Sequence, residues 1–363
     1  MTTFKKKCVF IIAEAGVNHN GSLDQALELV DVAAEAGADA VKFQTFKAEA
    51  VISRNTAKAE YQLKTTNENE SQLEMAKKLE LDLSAHQQLL RRCEMRKIQF
   101  LSSPFDLPSV DMLVKDLKVL QIKVPSGEIT NGPLLLRVAQ SCLPVILSSG
   151  MSTLGDIENA LAILAFGYLQ SGEVPSIAGC KQAFLSAEAQ RQLQTKVTLL
   201  HCTTEYPAPF DEVNLRAMDT MACAFGLPVG LSDHTVGYSV AIAAVARGAV
   251  VIEKHFTLDR TLPGPDHKAS LEPSELGAMV TAIREVELAL GSSRKLVATS
   301  EAKNQMVARK SLVALRAILK GESFTSENLG VKRPGTGIPP TQYWEFLGKT
   351  TTHDYGPDEL ITL

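Results

Sequence analysis

The chain has 363 residues, of which 45% are apolar and 21% charged, with a formal net charge of −4. That mix supplies core for about two domains, or for one α/β barrel with an addition, and excludes a wholly disordered chain. It also argues against nucleic acid as the main partner, because phosphate-backbone binding needs a cationic face.

No stretch approaches the roughly 18 uninterrupted apolar residues of a membrane span. Lys5, Lys6 and Lys7 precede an apolar run that ends at Glu14 with no cleavage pattern after it, so the start reads as a strand, not a signal peptide. The six cysteines, Cys8, Cys93, Cys142, Cys180, Cys202 and Cys223, are scattered without a CxxC pair. They read mostly as buried small hydrophobes in a reducing compartment, and the cytoplasm is the expected location.

Short β-type runs then alternate with helical ones. Residues 8–13 read as a strand and 22–36 as a helix with Ser22 at its N-cap. A strand at 40–45 is followed by a polar excursion, 47–70, expected over a barrel mouth. Helix 84–95, strand 98–102, helix 107–114, strand 119–124, helix 133–140, strand 144–148 and helix 153–165 follow. Residues 167–195 read as an insertion. The pattern resumes with strand 197–202, helix 214–224, strand 228–231, helix 238–246, strand 249–255 and helix 273–289. Eight βα units predict a closed (β/α)8 TIM barrel over 1–290, not an open sheet, and AEAGVNHNG after the first strand is not a GxGxxG dinucleotide turn. Residues 291–306 read as a polar linker and 307–363 as a small, mostly β module.

In such barrels the site forms at the C-terminal ends of the strands. Here those ends carry Glu14, then Lys42 and Gln44, Ser102 and Ser103, and Lys123 with Ser126 and Glu128. Ser148-Ser149-Gly150, Thr203-Thr204 with Tyr206, Ser232-Asp233-His234, and Glu253 with His255 complete the set. Residues two apart on a strand share a face, so Lys42 and Gln44 point together, as do Glu253 and His255. A buried lysine is costly unless an anion meets it, so Lys42 and Lys123 predict an anionic ligand; internal ion pairs with Glu14 and Glu128 are the plainer alternative. His234 and His255 end consecutive strands and would suit a divalent metal such as Mn²⁺ or Zn²⁺, or stand as two hydrogen-bonded imidazoles without one. His86 and His353 read as surface residues, while His19, His201 and His267 remain open.

Ten segments occur in order: IIAEAGVNHNG (11–21), VKFQTF (41–46), FLSSPFD (100–106), IKVPSGE (122–128), LSSGM (147–151), LHCTTEYPAP (200–209), GLSDHT (230–235), EKHFT (253–257), PGPDH (263–267) and VKRPGTG (331–337). Over nearly the whole chain they resemble the bacterial sialic acid synthases, the nonulosonate family that includes N-acetylneuraminate, legionaminate and pseudaminate synthases. The resemblance implies a barrel followed by an antifreeze-like (SAF) module, and a condensation of phosphoenolpyruvate with the open-chain aldehyde of an N-acetylated hexosamine. The enol carbon attacks the aldehyde, water adds at C2, and phosphate leaves by C–O cleavage.

It further implies that His234 and His255 hold a divalent metal, usually Mn²⁺, and that Lys42, Ser103, Lys123, Ser126, Ser148 and Ser232 hold phosphoenolpyruvate. Glu14, Gln44, Tyr206 and Asp266 would contact the amino sugar, and Glu128 would handle a proton close to the lysines. Arg333 would reach the sugar of a partner subunit in a domain-swapped homodimer. Thr204 departs from the Asn of some N-acetylneuraminate synthases. AEYQ (59–62), ESQLEM (70–75) and TTEYPAP (203–209) lie closer to the legionaminate type, with its 2,4-diacetamido-2,4,6-trideoxymannose substrate, than to the N-acetylmannosamine type. A pseudaminate synthase or a sugar-phosphate-using sialic acid synthase is the alternative enzyme. A purely ice- or sugar-binding protein would leave the barrel unexplained.

Overall fold

The structure is a computed structural model that describes residues 8–58, 63, 70–170 and 172–362. The chain divides into two compact units, Met1–Gly291 and Ser292–Leu363. In the first, eight parallel strands alternate with helices: β1 (Phe10–Gly16), β2 (Ala40–Thr45), β3 (Gln99–Pro104), β4 (Ile122–Val124), β5 (Val145–Ser148), β6 (Val197–Cys202), β7 (Val229–Asp233) and β8 (Val251–His255). Their order is β3-β2-β1-β8-β7-β6-β5-β4, and β3 and β4, the two ends, lie side by side. This is the TIM barrel that eight βα units predicted.

The helices form where apolar spacing and caps agree. Helix α1 (Leu23–Glu35) starts at Ser22, whose hydroxyl accepts from Gln25 N, and buries Ala26, Leu29, Val30 and Ala33. The described part of the excursion after β2 includes two short helices, α2 (Ala48–Val51) and α3 (Gln72–Lys77). The AEYQ stretch at 59–62 lies outside the described residues. After α4 (Leu83–Arg96), the expected helix at 107–114 is α5 (Leu107–Asp111) running into a π-turn, Met112–Asp116. Beyond α6 (Gly132–Gln140) and α7 (Leu154–Leu169), the 167–195 insertion contains α8 (Ile177–Phe184) and α9 (Ala187–Lys196), both packed on α7. The ring closes through α10 (Ala217–Phe225), α11 (Ser239–Ala246) and α12 (Pro273–Leu290). Among the described residues no helix is long and apolar enough to cross a membrane.

The barrel interior is layered. Ile12, Ala40, Leu101, Ile146, Leu200 and Val251 form an apolar plug inside the ring. Two residues further along the same faces stand Glu14, Lys42, Ser103, Ser148, Cys202 and Glu253, joined by Lys123 and Ser232. The opposite faces pack under the helices.

There the structure puts Asp233, which the strand-end reading set at the mouth. Asp233 points away from the mouth and meets Lys254, its register partner, at 2.9 Å. Both are buried, and the ammonium also donates to Thr235 O at 2.5 Å. Lys254→Met leaves Asp233 buried without a counter-ion and is expected to cost about 3–5 kcal/mol in urea unfolding; a loss under about 1 kcal/mol would show the pair to be dispensable.

In the second unit, polar texture at 291–306 suggested only a linker, but α13 (Ala302–Ala308) forms there. Strands β9 (Ser311–Ala314) and β10 (Leu329–Lys332) pair antiparallel over a core of Leu312, Ile318, Phe324, Leu329, Phe346 and Tyr355. Helix α14 (Tyr343–Phe346) supplies the aromatic edge of that core.

Candidate active site

The C-terminal ends of the barrel strands surround a cavity of about 350 Å³, a size suited to small ligands. Of the residues predicted for the site, Glu14, Lys42, Gln44, Ser103, Lys123, Ser126, Ser148, Tyr206, Ser232, His234, His255 and Asp266 all line it.

Its floor is a buried charge cluster. Lys42 Nζ lies 2.8 Å from Glu14 Oε2 in a buried ion pair and donates to Ser103 Oγ at 3.1 Å. Lys123 Nζ lies 3.1 Å from Glu253 Oε1, Lys42 lies 3.5 Å from Glu253 Oε2, and Ser232 Oγ donates to Glu253 Oε1 at 2.7 Å. Glu253 is therefore the carboxylate between the two ammoniums, in the place expected of Glu128. It received no role from the sequence, although its shared face with His255 was the available signal. Glu128 instead sits half-buried on the turn after β4, its Oε2 accepting from Asn131 Nδ2 at 2.6 Å. Burial raises its pKa.

The two floor carboxyls are driven apart. Burial lifts Glu14 to about 7, against the pull of Lys42 and aided by repulsion from Glu253. Burial opposes ionisation of Glu253 too, but Lys123 and Lys42 outweigh it and hold that carboxyl well below the usual range. A carboxyl raised on folding contributes stability that is fully present below about pH 4.5 and lost as pH rises through about 7. Relative to Glu14→Gln, the wild-type chain is thus expected to lose up to about 3 kcal/mol between pH 4.5 and 8 in denaturant titrations. Parallel pH profiles for the two proteins would contradict that environment for Glu14.

Five buried polar atoms at the cavity have no hydrogen-bond partner among the described residues: Glu14 Oε2 and Glu253 Oε2, which face Lys42 as ion pairs, and Ser148 Oγ, Thr204 Oγ1 and His255 Nδ1. Buried polar groups left unpaired are costly, and a cluster of them around one space marks a ligand. Thr204, the departure from the family pattern, still offers an oxygen here. Close approach shapes the wall as well. A Cβ on Gly150 would lie 2.1 Å from Thr204 Oγ1 and 2.7 Å from Ser126 Oγ, and Gly16, at φ +53°, packs against Glu14 and His255.

The His234 and His255 rings meet at a centroid distance of 5.4 Å, with Tyr206 against both at 4.2 and 5.5 Å. His234 Nδ1 donates to Thr203 O at 2.7 Å, and its Nε2 faces Ser232 Oγ at 3.4 Å. Burial, then His234 and Lys42, hold His255 well below its ordinary pKa, so its imidazole is neutral. Asp266, which burial lifts to about 6, stands 3.9 Å from the unpartnered His255 Nδ1. Burial opposes protonation of His234, but Cys202 and the bond to Thr203 O raise its pKa overall, so a divalent metal there would have to displace a proton from it, whereas His255 offers a neutral imidazole. Among the described residues no group of three or more His, Cys, Asp or Glu side chains could hold one alone, so water or substrate must complete the shell.

The remaining histidines serve the fold. His86, expected at the surface, is fully buried because its Nε2 meets Thr45 Oγ1 at 2.9 Å and its Nδ1 meets Asp82 O. His267 bonds Thr257 Oγ1, His201 bonds Val213 O, and His19 accepts from Gly21 N. Ser102 and Ser149 point away from the cavity to backbone carbonyls. Half the cysteines, Cys93, Cys180 and Cys202, are buried, fewer than expected, and all six are free. Arg333 is exposed in the second unit, its Nε donating to Ala308 O at 3.1 Å.

Comparison with known proteins matches residues 29–295 to the NeuB family and 309–363 to the SAF domain. The chain is 53% identical to the N,N'-diacetyllegionaminic acid synthase of Campylobacter jejuni, over 98% of this chain and 99% of that one. It is 44% identical to the N,N'-diacetyllegionaminic acid synthase of Legionella pneumophila, over 93% and 89%. A solved N-acetylneuraminic acid synthetase of Leptospira borgpetersenii in complex with citrate superposes with a TM-score of 0.65 at 34% identity, covering 82% of this chain and 90% of that one.

Proposed function

The chain belongs to the NeuB family, and on that premise we propose that it joins phosphoenolpyruvate to an N-acetylated amino sugar, forming a nonulosonic acid with release of phosphate. The preferred sugar is 2,4-diacetamido-2,4,6-trideoxymannose and the product N,N'-diacetyllegionaminic acid, in keeping with the Campylobacter and Legionella relatives. The observation that carries the reading is the set of unpartnered buried atoms beside two ammoniums at one barrel mouth.

Lys42 and Lys123 hold the phosphate and carboxylate of phosphoenolpyruvate, with Ser103, Ser126, Ser148 and Ser232 supplying hydroxyls. Gln44, Tyr206 and Asp266 orient the sugar. Carboxyls pushed to opposite protonation states divide the acid and charge-stabilising roles. Glu14, protonated in a large fraction of molecules near pH 7, donates to the oxygen that was the aldehyde as the new C–C bond forms. Glu253 stays ionised and stabilises positive charge building at C2, where water then adds and the C–O bond to phosphate breaks. Glu128, also raised, is the second proton-handling carboxyl, on the turn that carries Ser126. His234 and His255 would hold a divalent cation, for which Mn²⁺ is proposed; when bound it polarises the aldehyde.

The test is phosphate release from phosphoenolpyruvate in the presence of Mn²⁺ and either candidate sugar; none with any N-acylated hexose would overturn the reading. The proposal includes a homodimer in which Arg333 of the partner subunit contacts the sugar, and light scattering giving the mass of a single chain would overturn that part. The proposed location is the cytoplasm, which phosphoenolpyruvate as substrate and the exposed thiols of Cys8, Cys142 and Cys223 support.

A further inference from the structure

The cavity has two unlike walls. Its floor and the rim at β6–β8 are polar, whereas the excursion after β2 supplies Phe46, Val51, Ile52, Met75 and Leu79. Phe105 from the β3 loop extends this surface, edge-to-face with Phe46 at a ring-centroid distance of 6.1 Å. Gln72 is the one polar side chain that the described part of the excursion adds to the lining. Val51, at the mouth, is 38% exposed although it faces the cavity with its apolar neighbours. A half-exposed aliphatic group on a ligand cavity gains most from an apolar part of that ligand.

The ring order gives the wall a direction. β2 stands four places from β6 among the eight strands, so the excursion leaves the rim opposite Tyr206, which packs on the histidine pair. A sugar whose aldehyde carbon lies at the histidines sends its other end toward this wall. Hydroxyls arriving there would give up water for few partners, whereas methyl groups would be buried favourably.

We propose that the wall formed by Phe46, Val51, Ile52, Met75 and Leu79 is the subsite for the C6 methyl and the 4-acetamido methyl of a 2,4-diacetamido-6-deoxy sugar. It selects that class over N-acetylmannosamine, which carries hydroxyls at C4 and C6. The inference rests on the synthase reading above and gives the excursion a specificity role.

The test uses the full-length enzyme with Mn²⁺ and saturating phosphoenolpyruvate, comparing kcat/KM for 2,4-diacetamido-2,4,6-trideoxymannose and N-acetylmannosamine. Wild type is expected to favour the trideoxy sugar by at least about tenfold, and Val51→Asn and Met75→Gln to narrow that ratio by about tenfold, with the KM for phosphoenolpyruvate held within about twofold. Val51 is exposed enough that its variant keeps the fold, so the result does not hang on Met75. A ratio unchanged in both variants, or a wild-type preference for N-acetylmannosamine, overturns the subsite and leaves the synthase reading standing. No phosphate release from wild type with either sugar overturns the reading itself.

Discussion

Lys123→Met is expected to abolish phosphoenolpyruvate binding in calorimetry and to lower phosphate release by about 10²–10⁴-fold, the cost of stripping one partner from a buried charge pair. The reason lies in the floor. Lys123 and Lys42 share Glu253, and with Glu14 largely protonated at lower pH the cluster carries a net positive charge that an anion can neutralise. Without the Lys123 ammonium, Glu253 keeps only the longer 3.5 Å pairing with Lys42, and the cluster loses the net positive charge that attracts an anion. The double variant Lys123→Met, Glu253→Gln removes the unpaired charge and should recover most of the lost stability without recovering binding. Phosphoenolpyruvate affinity within threefold of wild type in either variant would show that the anion site lies elsewhere.

His234→Ala carries the second large effect. The ring packs against Tyr206 and His255 at the cavity, and its Nδ1 bond to Thr203 O fixes its orientation, with Nε2 beside Ser232 Oγ. Its loss should remove Mn²⁺ binding, read directly by paramagnetic resonance titration, and lower turnover by at least about 10³-fold while the melting profile stays cooperative. Wild type should lose activity in EDTA and regain it with added divalent cation. Activity that persists in EDTA, or Mn²⁺ affinity unchanged in the variant, would remove the metal from the reaction.

Much of this arrangement was legible in the residues. Alternation of apolar runs with 3.6-period stretches specified eight strands, and 40–45 and 197–202 were read to the residue. Parity along each strand puts Lys42 with Gln44 and Glu253 with His255. Where reading failed, the cause was a face or a partner. Asp233 lies between Ser232 and His234 in the chain, yet turns outward to a buried Lys254. His86 looked like a surface residue because nothing in its own helix shows Thr45 waiting beneath it. The helix at Ala302–Ala308 buries no residue, and its Met306 and Val307 stand exposed, so no core-facing stripe announces it.

By itself, then, the sequence determined the barrel, the strand ends and the chemical types gathered there, because side-chain alternation and helical periodicity are local and survive in one dimension. Only the tertiary structure decided that Glu253, not Glu128, stands between the two lysines, that the pKa values of Glu14 and Glu253 are driven in opposite directions, and that one wall of the cavity is apolar. Each depends on distance and burial between strands far apart in the chain, and electrostatic energy in a buried site is a function of those alone.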